Sequence, residues 1–354
     1  MATIRDIARL ANVSIGTVDR VIHKRGSVAY ITQEKIERAI KKLDYSPNLF
    51  ARQLKLAKKH TFGILMPELH QDGNYWDQPA TGMRQAGKEL ESHKIKIKFF
   101  HFDRYSEDSF YDKCSQISKE DLDGLLIAPI FINPAKLLVS QIPVRIPYIF
   151  FDSDLTDTKR LTFIGQDPYK SGMLAAELMR MLVDDRSDIA IIRILPEDYH
   201  INQRTDGFRS YFDNHAFSNS IQVYEWLESK DLNNIDTLLS EILDNTNLQG
   251  IFVTNALTYL VASYVKSNNF EKRIKIIGYD LIKENVAFLK NSVIDFLISQ
   301  APLTQGYQGI QSLYRTLVLK QNVDDKIMMP IDIVTKVNIE FYRDVAINNV
   351  AQPT

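Results

Sequence analysis

From residue 60 onward, short apolar runs alternate with amphipathic segments, and this alternation leaves the chain few possible folds. Each run is six to nine residues long and has the composition of a buried strand. The segments between the runs have helical spacing, as in PATGMRQAGKELES and SGMLAAELMRMLVDD. Strands that alternate with helices predict parallel sheets with helices on both faces. The eight runs are residues 61–67, 94–102, 123–130, 146–153, 188–195, 221–227, 250–255 and 274–280.

The eight runs fall into two groups of four, separated by a break near residues 155–165, which predicts two α/β lobes. Several runs end in a polar residue, namely Asp152, Asn255 and Asp280. Ligands of parallel sheets bind at the carboxyl ends of the strands. We therefore expect a small polar ligand between the two lobes.

The N-terminal segment differs from the rest of the chain in its charge. Residues 1–60 carry 13 basic and 5 acidic side chains, a net charge of +8, whereas the remainder carries −9. A basic segment on a larger acidic body indicates a polyanionic partner for that segment alone.

Three short helices are predicted in this basic segment. Thr3 and Asp6 match a capping box for the first helix, Asn12-Val13 forms a turn, and Ser14 is a suitable cap for the second. KRGS at 24–27 and DYSPN at 44–48 end the second and third helices, because glycine and X-Pro disfavour helix. Together the elements predict a helix-turn-helix domain. Its expected apolar positions are Ile4, Ile7, Ala8, Val18, Val21, Ile22, Ile36, Ala39, Ile40 and Leu43.

Other classes of protein lack support in the sequence. Cys114 is the single cysteine, and neither a signal peptide nor a membrane span is recognisable, so we expect a soluble cytoplasmic protein. The P-loop-like GMRQAGKE at 82–89 has glutamate where magnesium binding needs serine or threonine. Neither metal-ligand spacing nor a nucleophile motif occurs, so we expect no metal, no cofactor and no enzyme activity.

The segments TIRDIARLANVSIGTVDRVIHKRGSV and LDYSPNLFARQLK resemble the LacI/GalR family of bacterial transcription regulators, and the resemblance extends over almost the whole chain. It implies an all-α helix-turn-helix head at 1–46, a hinge helix or linker at 47–59, and an effector-binding and dimerisation body at 60–340. The body would be a two-lobed α/β domain similar to periplasmic sugar-binding proteins, with parallel sheets. Lobe 1 would comprise about 60–158 and 289–325, and lobe 2 about 159–288 and 326–340.

The resemblance also implies a function. The chain would be a repressor that binds double-stranded operator DNA as a homodimer, under the control of a small carbohydrate-like effector. Whether the effector induces or co-represses stays open. A sugar-binding transport or sensory protein and a two-lobed enzyme are the alternatives, which the capped helix-turn-helix and the missing catalytic constellation disfavour.

The residues expected at the DNA lie in the second helix and the hinge. Ile15 would contact a thymine methyl group, and Arg20 a phosphate or a guanine edge. Leu54 would unstack the central base step in the minor groove, unless it rests on the body. The expected set is Thr3, Ser14, Ile15, Gly16, Thr17, Asp19, Arg20, His23, Asn48, Ala51 and Leu54.

Asp19 departs from the family pattern, which has a small hydroxyl residue at this position. It would accept a hydrogen bond from a cytosine amino group, pair with His23, Arg5 or Arg20, or lower affinity by repelling phosphates. Our hypothesis is that Asp19 sets specificity.

The effector site implied by the family segment INQRTDGF centres on Arg204, whose guanidinium suits hydroxylated or carboxylated ligands. A salt bridge with Asp206 or Glu197 is the alternative role for Arg204. Tyr75 and Trp76 would stack on a sugar ring, and packing within the lobe is the alternative for Trp76. Ala256-Leu257 replaces the acidic residue that commonly follows the asparagine in the family, which indicates a different ligand orientation. The expected set is Tyr75, Trp76, Asp152, Arg204, Asn255, Asp280 and Gln300.

Overall fold

The computed structural model describes residues 4–22, 28–43, 58–194, 199–215, 217–226 and 234–342. The chain divides into two compact units, Met1–Lys58, called the head, and Lys59–Thr354, called the body. Within the described residues, no helix is long and apolar enough to cross a membrane.

The head contains helices α1 (Ile4–Ala11), α2 (Ile15–Ile22) and α3 (Tyr30–Lys42). Asn12 adopts a left-handed conformation (φ 51°) and turns the chain between α1 and α2, as predicted. Ser14 Oγ accepts a hydrogen bond from the Thr17 amide at 3.2 Å and so caps α2. Thr3, the other predicted cap, lies outside the described residues.

The three helices bury one small core at the positions with helical spacing. Ile7, Val18 and Ile36 are fully buried and come from α1, α2 and α3 respectively. Ala8, Ala11 and Ala39 complete the core, and their small side chains let the short helices approach closely. The helix-turn-helix prediction is therefore confirmed for the part of the head that the structure describes.

In the body, the first sheet has six strands in the order β11-β5-β4-β3-β1-β2, all parallel. Its strands are β1 (His60–Pro67), β2 (Ile95–Phe102), β3 (Gly124–Ile127), β4 (Tyr148–Phe151), β5 (Thr162–Gly165) and β11 (Lys326–Met328). Its helices are α4 (Gln71–Asn74), α5 (Asp77–Glu89), α6 (Glu107–Ile117), α7 (Ile132–Gln141) and α13 (Pro302–Leu317), with a 3-10 turn at Glu91–His93.

The second sheet has the order β12-β10-β9-β8-β6-β7, in which only the β10–β12 pair is antiparallel. Its strands are β6 (Asp188–Ile194), β7 (Ser220–Trp226), β8 (Leu248–Val253), β9 (Lys275–Tyr279), β10 (Phe296–Ser299) and β12 (Asp332–Val334). Its helices are α8 (Pro168–Leu182), α9 (Tyr199–His215), α10 (Asn234–Leu243), α11 (Thr258–Ser267) and α12 (Lys283–Lys290), followed by a 3-10 turn at Ile339–Tyr342. Each of the eight predicted strands forms where expected.

The predicted lobe boundaries need correction. The chain crosses between the sheets at about 165–168, 299–302 and 328–332, not at 158/159, 288/289 and 325/326. Consequently β5 and β11 belong to lobe 1, and β10 belongs to lobe 2. These strands are three or four residues long and, unlike the equally short β3 and β4, were not recognised as apolar runs in the sequence.

One glutamine side chain joins all three crossovers. Gln166, on the first, donates from Nε2 to the Ser299 carbonyl at 3.0 Å and to the Pro330 carbonyl at 2.7 Å, on the second and third. Gln305 adds a second link, because it donates to the Gln300 carbonyl at 2.9 Å and accepts from the Asp152 amide at 3.0 Å. Both side chains are buried, so these bonds hold the two lobes together where the chain passes between them.

Glycines account for the closest helix contacts of the body. A Cβ on Gly172 of α8 would lie 2.0 Å from the Arg204 carbonyl, and one on Gly207 of α9 would lie 2.0 Å from the Tyr169 carbonyl. In lobe 1, a Cβ on Gly82 would lie 1.9 Å from the Leu303 carbonyl. Gly82, the first glycine of GMRQAGKE, therefore serves the packing of α5 against α13, consistent with the segment not being a phosphate loop.

Candidate functional site

A small cavity lies between the two lobes of the body, at the carboxyl ends of several strands. We call it the inner cavity. All seven residues expected at the effector site line it, and their role in effector binding stays a prediction. Its lining residues are Asp72, Tyr75, Trp76, Arg104, Asp152, His200, Arg204, Asn255, Ala256, Asp280 and Gln300.

Two of the strand-end aspartates have left-handed backbone. Asp152 follows β4 with φ 68°, and Asp280 follows β9 with φ 70°. Aspartate tolerates this region better than most residues with a Cβ, but the conformation still has a free-energy cost. Non-glycine residues in such a conformation cluster at binding sites, and here both side chains line the inner cavity.

Arg204 is held rigidly in the lobe 2 wall. The side chain is 2% exposed, and its guanidinium carbon lies 3.8 Å from the centroid of the Tyr279 ring. It donates to the Thr254 carbonyl at 2.7 Å and to Gln300 Oε1 at 2.6 Å, while Nε has no hydrogen-bond partner. Asp206, its suggested salt-bridge partner, is exposed and lies 3.5 Å from Gln203 Nε2 instead. Glu197, the other suggestion, lies outside the described residues.

Gln300 connects Arg204 to Asp280. Its Nε2 donates to both carboxylate oxygens of Asp280, at 2.9 and 3.1 Å, while its Oε1 accepts from Arg204. Burial raises the pKa of Asp280 to about 7, although Arg204 and the Gln300 hydrogen bond act in the opposite direction. The Asp280 carboxyl therefore changes protonation near neutral pH.

Asn255 contributes an available hydrogen-bond donor to the same wall. Its Oδ1 accepts from the Leu257 amide at 3.0 Å, whereas its buried Nδ2 has no partner. Asn285, fully buried behind this wall, places Nδ2 at 2.8 to 3.0 Å from the carbonyls of Ala256, Tyr279 and Asp280. Asn285 thus fixes the loops that follow β8 and β9.

In lobe 1, Tyr75 and Asp152 form the opposite wall. The Tyr75 hydroxyl donates to Asp152 Oδ1 at 2.5 Å. Burial, reinforced by the negative charges of Asp152 and Asp280, raises the pKa of Tyr75 well above its ordinary value. Tyr75 therefore stays protonated and remains the donor, which leaves the second Asp152 oxygen to accept from a ligand.

Asp72 organises the rest of the lobe 1 wall. Arg104 Nε lies 3.0 Å from Asp72 Oδ2 with both side chains buried, and Trp76 Nε1 donates to the same oxygen at 2.8 Å. The Trp76 ring is fully buried, edge-on to Tyr75 and Phe151. These contacts fit the packing role proposed for Trp76, and its place in the cavity lining leaves the stacking role open.

The chemistry of the inner cavity suits a compact, hydroxylated ligand. Arg204 Nε and Asn255 Nδ2 are donors without partners, and Asp152 and Asp280 are acceptors. A buried donor without a partner is costly, so a ligand that satisfies both gains affinity. Among the described residues, no group of three His, Cys, Asp or Glu side chains could hold a metal ion.

Four cavity residues were not among those expected from sequence: Asp72, Arg104, His200 and Ala256. The sequence contained a signal that could have predicted three of them. Arg104 follows β2 at its carboxyl end, His200 lies one turn before Arg204 on α9, and Ala256 follows Asn255. Asp72 adopts φ 51° within HQDGN, and no period or motif indicated that its side chain would line the cavity.

In the head, helix α2 presents a mixed surface at its beginning. Ile15 is 49% exposed, Gly16 and Arg20 are exposed, and Thr17 and Asp19 are half-buried. Val18 is fully buried, and Val21 packs against the head core, as predicted. Thr3, His23, Asn48, Ala51 and Leu54 lie outside the described residues, so the Asp19–His23 pair and the hinge predictions stay predictions.

A helix-turn-helix head combined with a two-lobed ligand-binding body defines a ligand-responsive DNA-binding regulator. Residues 3–48 match the model of bacterial regulatory proteins of the lacI family, and residues 62–321 match a periplasmic binding protein domain. The chain belongs to the lacI family of bacterial regulatory proteins, as the sequence resemblance predicted. It is a DNA-binding transcription regulator with a small-molecule effector domain.

Individual relatives agree with this assignment. The HTH-type transcriptional repressor PurR of Aliivibrio fischeri strain MJ11 is 26% identical over 92% of this chain and 93% of its own length. The sucrose operon repressor of Lactococcus lactis subsp. lactis is 22% identical over 94% and 98%. A crystal structure from Bacteroides fragilis, described as a LacI transcriptional regulator, has a TM-score of 0.75 and 30% identity, covering 80% of this chain and all of its own. The relatives are transcription factors, which confirms the expectation of a regulator rather than an enzyme.

Proposed function

We propose that the chain is a homodimeric repressor whose affinity for operator DNA is controlled by a neutral carbohydrate bound in the inner cavity. Such a repressor acts in the cytoplasm, on DNA of the nucleoid. The effector proposal rests on the groups that line the same cavity. Two buried donors, Arg204 Nε and Asn255 Nδ2, have no hydrogen-bond partner, and the carboxylates of Asp152 and Asp280 supply acceptors.

A sugar hydroxyl both donates and accepts, so it satisfies both kinds of group at once. The inner cavity is small, which favours a ligand no larger than about one sugar ring. The Trp76 ring adds apolar surface to this wall. The name of the sucrose operon repressor supports a sugar as the effector class.

Control of DNA binding would follow from the two-lobed architecture. A ligand shifts the equilibrium between lobe arrangements only by its different affinity for each. We infer that closure around the effector changes the dimer and thereby the hinge at 47–59, including Asn48, Ala51 and Leu54. The direction of the response, induction or co-repression, is an outcome of the experiment below.

The test for the effector is calorimetric titration of the full chain with single pentoses and hexoses, followed by operator-binding anisotropy with any sugar that binds. We expect at least one sugar to bind and to change operator affinity. Binding should disappear in Asn255→Leu and persist in Asn268→Leu, whose side chain bonds only within its own helix end. Failure of every neutral sugar would overturn the carbohydrate proposal.

The DNA-binding proposal has an independent test. Operator fragments selected from genomic DNA should bind a dimer, measured by sedimentation, and affinity should fall steeply as salt rises, because phosphate contacts release counterions. Ile15, Gly16, Thr17 and Arg20 would form the base-reading surface, with Ser14 as their cap. Binding by a monomer, or affinity that does not change with salt, would contradict this proposal.

A further inference from the structure

A second, wider groove lies beside the inner cavity and is not used by the proposed single-ring ligand. We call it the outer groove. It shares Asp152 and His200 with the inner cavity, so the two spaces are adjacent. The residues that line only the outer groove include Phe163, Gln166, Tyr169, Tyr199, Gln203 and Thr156.

The walls of the outer groove combine aromatic and polar surface. Tyr169 and Tyr199 are half-buried, which leaves part of each ring and hydroxyl accessible. Gln166 is 3% exposed, and its Oε1 has no hydrogen-bond partner, while its Nε2 bonds the other two crossovers. A buried acceptor without a partner favours a ligand that brings a hydroxyl donor. Aromatic walls with a few fixed polar groups are typical of small-molecule sites.

The charges in the outer groove exclude an anionic occupant. Three carboxylates line it, from Asp152, Asp154 and Asp167, against one exposed ammonium group, Lys326. Arg160 neutralises Asp154 through hydrogen bonds of 2.7 and 3.0 Å, and Asp167 caps α8 by accepting from the Lys170 amide at 3.0 Å. The remaining negative charge repels phosphate and carboxylate, whereas neutral hydroxyl groups can donate to the same oxygens.

We propose that the outer groove is a second sugar subsite, so that the effector is a neutral disaccharide with one ring in the inner cavity and the other beside Tyr169, Tyr199 and Gln166. This inference rests on the carbohydrate proposal above and extends it. The second ring also contacts the first crossover, because Gln166 lines the groove and lies on that crossover. A disaccharide therefore touches the first crossover as well as the second, whereas a single ring in the inner cavity contacts only the second, at Gln300.

The test compares disaccharides with their own component monosaccharides by calorimetry on the full chain. Sucrose, maltose, lactose, cellobiose and trehalose form the panel, with glucose, galactose and fructose as components and glucose 6-phosphate as the anionic probe. We expect one disaccharide to bind at least about tenfold more tightly than either component, which corresponds to ~1.4 kcal/mol. Glucose 6-phosphate should bind no more tightly than glucose.

Two tryptophan variants separate the subsites. Thr156 is exposed and lines only the outer groove. Thr156→Trp should therefore fill the groove and weaken disaccharide binding about tenfold, while the affinity for monosaccharides should stay within about twofold of that of the unaltered chain. Thr246→Trp, on an exposed loop between α10 and β8, is the matched control and should change neither. If monosaccharides bind as tightly as disaccharides, or if Thr156→Trp does not change disaccharide binding, the proposal of an outer subsite is wrong and the proposal for the inner cavity stands. If no neutral sugar of either size binds, both proposals fail together.

Discussion

The Arg204 guanidinium carbon lies 3.8 Å from the centroid of the Tyr279 ring, and both side chains are buried. This contact and the bonds to Thr254 and Gln300 hold the guanidinium in the lobe 2 wall, so binding a ligand there costs little further side-chain entropy. A lysine keeps the charge but has neither the planar fork nor the stacking surface.

We therefore expect Arg204→Lys to weaken effector binding about 10- to 100-fold, or ~1.4–2.8 kcal/mol, while operator binding without effector is retained. The measurement is calorimetry together with operator anisotropy. Arg273→Lys is the matched control, because Arg273 also stacks on an aromatic ring, Phe270 at 4.9 Å, and donates to two backbone carbonyls away from the cleft. Equal loss of effector affinity in both variants would show that the effect is structural.

The pH dependence of stability should carry the signature of Asp280. Its folded-state pKa, about 7, lies above the ordinary value of 3.8. Between these values the folded chain holds a proton that the unfolded chain has lost, so stability falls as pH rises. The contribution is at most about 1.4 kcal/mol per pH unit and levels off above pH ~8.

Asp280→Asn removes this titrating group, so the free energy of unfolding should fall less between pH 5 and 8 than in the unaltered chain. Denaturant titrations at each pH measure the difference, and other titrating groups cancel in the comparison. Asp213→Asn, on the exposed side of α9, should leave the slope unchanged. Identical slopes for Asp280→Asn and the unaltered chain would contradict the assignment.

Gln166 should control how easily the lobes separate. Gln166→Leu keeps most of the volume but leaves the carbonyls of Ser299, which is buried, and Pro330 without this donor. An unsatisfied buried group costs about 1–3 kcal/mol, so amide hydrogen exchange in residues 296–302 and 328–334 should accelerate by at least about tenfold. Gln85→Leu, which removes only a bond to Glu89 within one exposed helix, should leave exchange in both segments unchanged. Unaltered exchange in Gln166→Leu would rule out the linking role.

The fold was largely predictable because its long strands and helices bury one face or both, and burial leaves a period in the sequence. The short crossover strands did not follow this rule. Lys326–Met328 and Phe296–Ser299 form because neighbouring strands offer free edges, and their own few residues carry no diagnostic period. The lobe boundaries were misplaced for this reason.

The inner cavity was predictable to the extent that strand ends determine it. Asp152, Asn255 and Asp280 follow strands directly, and all three line the inner cavity. Asp72 was missed because its position depends on left-handed backbone and on Arg104, which lies 32 residues further along the chain. Long-range pairs of this kind leave no local signal.

Asp19 remains the most specific prediction for the head. It is half-buried on α2, one residue before the exposed Arg20, and our hypothesis is that it sets operator preference by orientation or base contact. Asp19→Ser should change the order of affinities across operators with single-base substitutions, by about 1–3 kcal/mol at one position. Glu37→Ser removes the same charge from the exposed side of α3, and should tighten binding to every operator by one common factor through weaker phosphate repulsion. Anisotropy titrations on the operator panel measure both variants. If Asp19→Ser also gives one common factor for every operator, Asp19 acts only through its charge, and the specificity hypothesis is wrong.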